Sequence, residues 1–313
     1  MHTVRYLQST PELDRQELDW WQKFAEVEEK YCSVQTPAIQ RFLRKHYIQQ
    51  LLSAVSPGSR VAELGCGAGW LSILLAQSGM ADVVGIDFSP AQIQLANEAT
   101  RRAGVGQKVH FRVATPTELN STTDRYDLLI MHGFLHHLSV AEIQAAFSTA
   151  RHLLADGGRL FILEPVMYKQ SSPADGRTML WLKWMKRLKL RIEHMGLRKI
   201  GPQEQQLRNL IAQREVGIPP FGPSPKETPF LPDEIPDLLN GCFTIQRRER
   251  VLLYSYLIAQ ELLLAELTYP RLVKLVWWPI LWFTRFKEHR ILHRPTPPPN
   301  LWVLELFECI SVK

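Results

Sequence analysis

The run Val61-Ala62-Glu63-Leu64-Gly65-Cys66-Gly67-Ala68-Gly69-Trp70 holds residues whose types and spacing suit ligand chemistry. An apolar strand ends on an acid, glycine then recurs at every second position, and the helical pattern Leu71, Ile73, Leu74, Leu75 follows at once. Glycine has no Cβ, so such a turn bends tightly and lets a ligand approach the backbone. The helix behind it offers free N–H groups and a partial positive charge to a polar ligand. This is a corner suited to a nucleotide. Trp70 stands where a Gly-x-Gly-x-x-Gly dinucleotide fingerprint has its third glycine, which disfavours a dinucleotide.

Further residues in register add to it. Val83 to Ile86 read as a second strand that ends on Asp87, 22 positions after Gly65, where a carboxylate can hold a ribose diol. Ser89-Pro90 then opens a helix, with serine at the cap and proline at the first helical position. His132, His136 and His137 follow a fourth apolar strand, and imidazoles with near-neutral pKa values can take or orient a proton. Glu164 and Tyr168, at the end of a fifth strand, are further candidates.

The elements that position these residues alternate between strand and helix from Ser56 to about Pro165. Val109–Val113 form a third strand and Tyr126–Met131 a fourth. Ser139-Val140-Ala141-Glu142 is a capping box that starts a helix. That helix ends before Asp156-Gly157-Gly158, and Leu160–Leu163 make the fifth strand, closed by Glu164-Pro165. Ligands are expected at the C-terminal ends of such strands. Before this block, residues 1–55 read as a helical cap. Trp20, Phe24, Val27 and Tyr31 share one helix face, and a second helix opens near Thr36-Pro37 with Ile39, Leu43, Tyr47 and Leu51.

Glu63-x-Gly65-x-Gly67-x-Gly69, with Asp87 in register, resembles motif I and its partner acid in the class I S-adenosylmethionine (SAM) methyltransferases. Tyr126–Ile130 followed by His136-His137-Leu138, and Leu153-Leu154-Ala155-Asp156-Gly157-Gly158, look like the corresponding motifs of the ubiquinone- and menaquinone-type members. The resemblance implies a doubly wound, mostly parallel seven-stranded α/β sheet (Rossmann-like) that binds SAM and releases S-adenosylhomocysteine. It implies cofactor contacts from Glu63, Gly65, Cys66, Gly67, Asp87, Phe88, Ala114, Thr115 and Met131, with Asp87 on the ribose. The family usually places an acid after strand three for the adenine amino group, and Thr115 stands there instead. A residue of the loop after strand four often faces the methyl group in such enzymes, which makes His136 or His132 the base or orienting group, with His137 structural. No metal is implied.

Past Pro165 the resemblance thins. Arg177 to Lys199 holds eight basic residues against one acid, with Trp181, Trp184, Leu188, Ile192 and Met195 on one face, and reads as a basic amphipathic helix. Ile218–Pro236 carries seven prolines and is expected to run extended over the surface. Phe243–Val251 look like a sixth strand and Leu301–Phe307 a seventh, which in the family inserts antiparallel. Between them, about 253–289, lies an apolar helical insertion with Val276-Trp277-Trp278-Pro279-Ile280-Leu281-Trp282-Phe283.

The expected organisation is therefore a cap at 1–55, a SAM-binding core at 56–165, a lid or substrate region at 166–241, and the last two strands with their insertion at 242–313. At 313 residues and 45% hydrophobic content the chain can bury a full core. Its net charge of +6 does not by itself imply nucleic acid. Four cysteines without Cys-x-x-Cys spacing give no zinc or iron–sulfur site and fit a reducing cytoplasm. No apolar run opens the chain as in a signal peptide, and none reaches the length of a spanning helix. The expected activity is methyl transfer to a small, apolar or aromatic acceptor, at oxygen, nitrogen or carbon. The alternatives are an RNA acceptor guided by the basic helix, with nucleic acid the less favoured partner, and a non-catalytic membrane-associated module. Peripheral membrane contact and a homodimer are the further partners the tryptophan-rich insertion suggests.

Overall fold

The computed structural model describes residues 9–32, 49–53, 56–79, 82–168, 224–252, 275, 278–293 and 302–312. The second N-terminal helix up to Tyr47, the basic helix at 177–199 and most of the late insertion lie outside these residues. The chain divides into one unit of residues 1–166, 224–252 and 303–313, and another of 167–223 and 253–302.

The first unit holds β1 (Arg60–Leu64), β2 (Asp82–Asp87), β3 (Val109–Val113), β4 (Tyr126–His132), β5 (Leu154–Met167), β6 (Phe243–Leu252) and β7 (Trp302–Ser311). They form one sheet in the order β3-β2-β1-β4-β5-β7-β6. β1 pairs in parallel with β2 and β4, β2 with β3, and β4 with β5, while β6 and β7 are antiparallel. This is the doubly wound seven-stranded sheet expected. Val61 to Leu64 are all buried, as a central parallel strand covered on both faces requires. Arg60 fixes the start of β1, its N–H donating to Asp127 at 2.8 Å and its Nε to Asp82 at 3.0 Å.

Helices α1 (Pro11–Cys32), α2 (Gln49–Leu52), α3 (Trp70–Gln77), α4 (Pro90–Ala103), α5 (Val140–Leu153) and α6 (Glu234–Leu239) complete the unit. Local chemistry sets their ends. Ser89 caps α4 with Pro90 behind it, Gly104 closes it at φ 68°, and Ser139 and Glu142 form the capping box of α5. In α1, Trp20 stacks on Phe24 with ring centroids 5.1 Å apart. Strand order reverses between β1 and β4, so their C-terminal ends open a crevice.

Two expectations change. The break at Asp156-Gly157-Gly158 is not a boundary before β5 but a bulge within it. Tyr126 pairs with Leu154, yet Leu128 pairs with Arg159, so the residues between loop out, with Gly157 at φ 75°. The strand also runs on past Pro165, and Val166 bridges to Phe230. The proline-rich stretch is described from Ser224 onward, and there it does not stay on the surface: Ser224, Lys226 and Phe230 are buried.

In the second unit, α7 (Trp278–Leu292) buries Leu281, Glu288 and Leu292, and Arg285 donates to Glu288 at 3.2 Å. Trp282, Phe283 and Phe286 on the same helix are more than half exposed. No helix among the described residues is long and apolar enough to cross a membrane.

Candidate functional site

The turn after β1 places Gly65, Gly67 and Gly69 at φ 73°, 50° and 74°, a region that favours glycine. Gly65 N and Cys66 N both donate to Ile86 O, which ties the turn to β2. The three glycines differ in surroundings. A Cβ on Gly65 would lie 2.2 Å from the Phe134 ring, and one on Gly69 would lie 2.4 Å from Phe111. On Gly67 it would meet only Gln92 Oε1, at 3.6 Å, an ordinary van der Waals contact, so of the three only Gly67 has room for a Cβ.

Two carboxylates brace this corner. Glu63 turns back onto α3, where its Oε2 accepts from Ser72 N at 3.1 Å and Ser72 Oγ at 2.6 Å. Burial pushes its carboxyl up to about 8. Asp87 Oδ2 accepts from Gly67 N and Oδ1 from Ser89 N, each at 2.9 Å. Burial raises its pKa as well. Asp87 thus links the glycine turn to the cap of α4.

The other expected cofactor contacts differ in burial and in their partners. Ala114 is buried and donates its N–H to Asp87 O at 3.0 Å. Phe88 is half-buried. Thr115 is exposed, and both its N–H and its hydroxyl donate to Glu118, at 2.7 and 2.8 Å, which caps the short 3-10 turn Pro116–Ser121. Cys66 is buried, which pushes its thiol well above its ordinary value. Met131 is fully buried in register with Leu64 and Ile162.

The three histidines separate into three environments. Glu164, fully buried at the end of β5, accepts from Phe134 N and Leu135 N through Oε1 at 2.8 and 2.7 Å. Its Oε2 lies 2.7 Å from His136 Nδ1. A carboxylate only accepts, so Nδ1 carries the proton and Nε2 presents a lone pair in the neutral ring. His137 Nδ1 instead lies 3.0 Å from Ser224 Oγ and 3.3 Å from Glu17 Oε1. Burial lowers its pKa. Burial acts to raise the Glu17 carboxyl, but its bonds to His137, Ser224 and Lys226 N prevail and hold it below its ordinary value. His132 packs edge-on against Trp70 at 5.3 Å, and burial pushes its pKa down to about 4. It borders a pocket lined by Leu51, Trp70, Ile130, Phe161 and Leu163. Tyr168 is half-buried and belongs to the other unit.

Two residues of this region were not anticipated. Glu17 of α1 accepts from Ser224 Oγ, from Lys226 N at 3.0 Å and from Trp21 Nε1 at 2.8 Å, across more than two hundred positions of sequence in the first two cases. Gln92, on the first turn of α4, is fully buried, yet neither amide atom has a hydrogen-bond partner among the described residues. Only the capping pattern at Ser89-Pro90 marks the turn on which it sits.

Residues 61–158 match a family model described as a methyltransferase domain. A ubiquinone biosynthesis O-methyltransferase of Sinorhizobium fredii is 33% identical over 105 residues, 34% of this chain and 40% of its own length. One of Cereibacter sphaeroides is 31% identical over 171 residues, 54% of this chain and 64% of its own. The chain spans about half the length of the curated relatives it matches. A SAM-dependent methyltransferase structure from Methanosarcina mazei overlaps 83% of this chain and 95% of its own at a TM-score of 0.44 and 18% identity, a loose overlap.

Proposed function

We propose that residues 61–158, which match a methyltransferase domain, form a class I SAM-dependent methyltransferase domain, and that the chain transfers the sulfonium methyl group of SAM to a small, apolar or aromatic acceptor. The carrying observation is the hydrogen bond from Gly67 N to Asp87 Oδ2. It sets a buried carboxylate beside the one glycine of the turn at which a Cβ would meet no clash. That cradle fits a nucleoside diol and the chain that follows it. Asp87 takes the ribose, with Gly65, Cys66, Gly67, Glu63, Phe88, Ala114, Thr115 and Met131 forming the rest of the site. The sulfonium supplies an already activated methyl group, so the protein's task is alignment and proton removal.

His136 is the base in this reading. Glu164 holds its Nδ1, which leaves Nε2 to take a proton from the attacking atom. His132, neutral down to about pH 4, orients the acceptor from the end of β4. The relatives are named as O-methyltransferases of ubiquinone biosynthesis; a hydroxyl on a lipophilic ring is accordingly the first acceptor class to test. Titration calorimetry with S-adenosylhomocysteine, beside Asp87→Ala, tests the cofactor. Micromolar binding weakened about tenfold by the substitution supports the reading, and no binding by the wild type removes it.

Trp282, Phe283 and Phe286, more than half exposed on α7, support peripheral contact with a membrane, from which a lipophilic acceptor is drawn. Vesicle co-sedimentation that survives Trp282→Ser with Phe286→Ser, or that never occurs, removes this part. The RNA-acceptor and non-catalytic readings find no comparable support among the described residues.

A further inference from the structure

We propose that the side-chain amide of Gln92 is a second ribose anchor, sharing the diol of the cofactor with Asp87; this rests on the methyltransferase reading above. Gln92 has no exposed surface, and both Oε1 and Nε2 lack a partner among the described residues. Buried amides are normally paired, because an unpaired one loses its hydrogen bonds to water without replacement. Methionine or leucine would fill the same volume without that cost. An orphaned amide at this position therefore calls for a partner that arrives with a ligand.

Its place identifies the partner. Oε1 lies 3.6 Å from where a Cβ on Gly67 would stand, and Gly67 is the residue whose N–H donates to Asp87 Oδ2. Asp87 Oδ1 accepts from the cap residue of the helix that carries Gln92. Carboxylate, glycine turn and amide form one cluster at the sheet's switch point. The carboxylate can only accept, and each of its oxygens already takes a backbone N–H. A vicinal diol has two hydroxyls, each of which both donates and accepts. A carboxamide, with a donor and an acceptor side by side, completes what a carboxylate leaves undone: Oε1 accepts from one hydroxyl, or Nε2 donates to its oxygen.

The test is titration calorimetry of wild type and Gln92→Met with S-adenosylhomocysteine and with its 2′-deoxy and 3′-deoxy analogues, beside thermal melting of the unliganded proteins. Gln92→Met is expected to melt at or above the wild type, since it removes an orphan, and to bind S-adenosylhomocysteine about tenfold more weakly. One of the two deoxy analogues is expected to cost the wild type much more affinity than it costs the variant. Unchanged affinity in Gln92→Met, or the same deoxy penalties in both proteins, overturns the assignment and leaves the methyltransferase reading standing. A lower melting temperature for Gln92→Met assigns the amide a structural role and also overturns it. Gln92→Glu, which keeps the shape but places a second carboxylate beside Asp87, is expected to bind still more weakly; affinity equal to wild type counts against the proposal. A wild type that binds none of the probes overturns both readings.

Discussion

Glu164 Oε2 lies 2.7 Å from His136 Nδ1, while the other oxygen of the same buried carboxylate holds the backbone of Phe134 and Leu135. One side chain at the end of β5 therefore shapes the loop after β4 and chooses the tautomer of its histidine.

His136→Ala is expected to lower kcat on a hydroxyl acceptor by about a hundredfold or more, as loss of a general base does, with S-adenosylhomocysteine affinity nearly unchanged. Glu164→Gln is the sharper variant. The new amide donates to Nδ1, which forces the ring proton onto Nε2, so the loss of kcat should match His136→Ala and persist as pH is raised. A variant whose rate recovers at high pH would show that titration, not tautomer, is what Glu164 controls. Steady-state kinetics between pH 6 and 9 decide this, a window that brackets the usual working pH of such a base.

Glu63 makes stability depend on pH. Its carboxyl has an ordinary value of 4.5 and is pushed up to about 8 by burial in the folded state. Between those values the unfolded chain has released the proton and the folded chain retains it. The contribution is therefore fully present below 4.5 and is lost as pH rises through about 8. Glu63→Gln keeps an acceptor for Ser72 and removes the titration. Relative to wild type it should gain thermal stability on going from pH 5 to pH 8, by about 2–4 °C for each kcal/mol released. Calorimetric melting temperatures for the two proteins check this, and a constant difference would contradict it.

The glycines of the turn should separate by mechanism. Gly65→Ala and Gly67→Ala both put a side chain on left-handed backbone, at about 1–2 kcal/mol. Only Gly65→Ala also drives a Cβ into Phe134, at about 1–3 kcal/mol more. Urea denaturation should show Gly65→Ala the less stable of the two. Gly67→Ala should stay folded and lose cofactor affinity about tenfold or more, as read by calorimetry.

Glu17→Ala should cost about 1–3 kcal/mol, because Ser224 Oγ, Lys226 N and Trp21 Nε1 lose their acceptor together. Its effect on kcat should be far smaller than that of His136→Ala, since Glu17 meets His137 and not His136. A comparable loss of kcat would make His137 part of the proton path. Denaturant melts and initial rates on the same preparations answer both points.

Sequence by itself determined the parts of this protein that neighbouring residues decide. The apolar run of β1, the left-handed glycine turn, Asp87 at the end of β2 and the caps of α4 and α5 depend on local sterics and on hydrogen bonds three residues apart, so spacing carries them. The same reasoning marked Asp156-Gly157-Gly158 as a turn but not as a bulge. A bulge is a mismatch in register with β4, and register belongs to the pair of strands. The proline-rich stretch was legible as irregular, but its burial comes from Glu17, Asp14 and Glu142 closing on Ser224 and Lys226. The pairing of His136 with Glu164, of His137 with Glu17 and Ser224, and the stranding of the Gln92 amide beneath Gly67 arose only in the tertiary structure. These contacts join residues up to 120 positions apart, and the order in which strands lie beside one another, rather than spacing along the chain, brings them together.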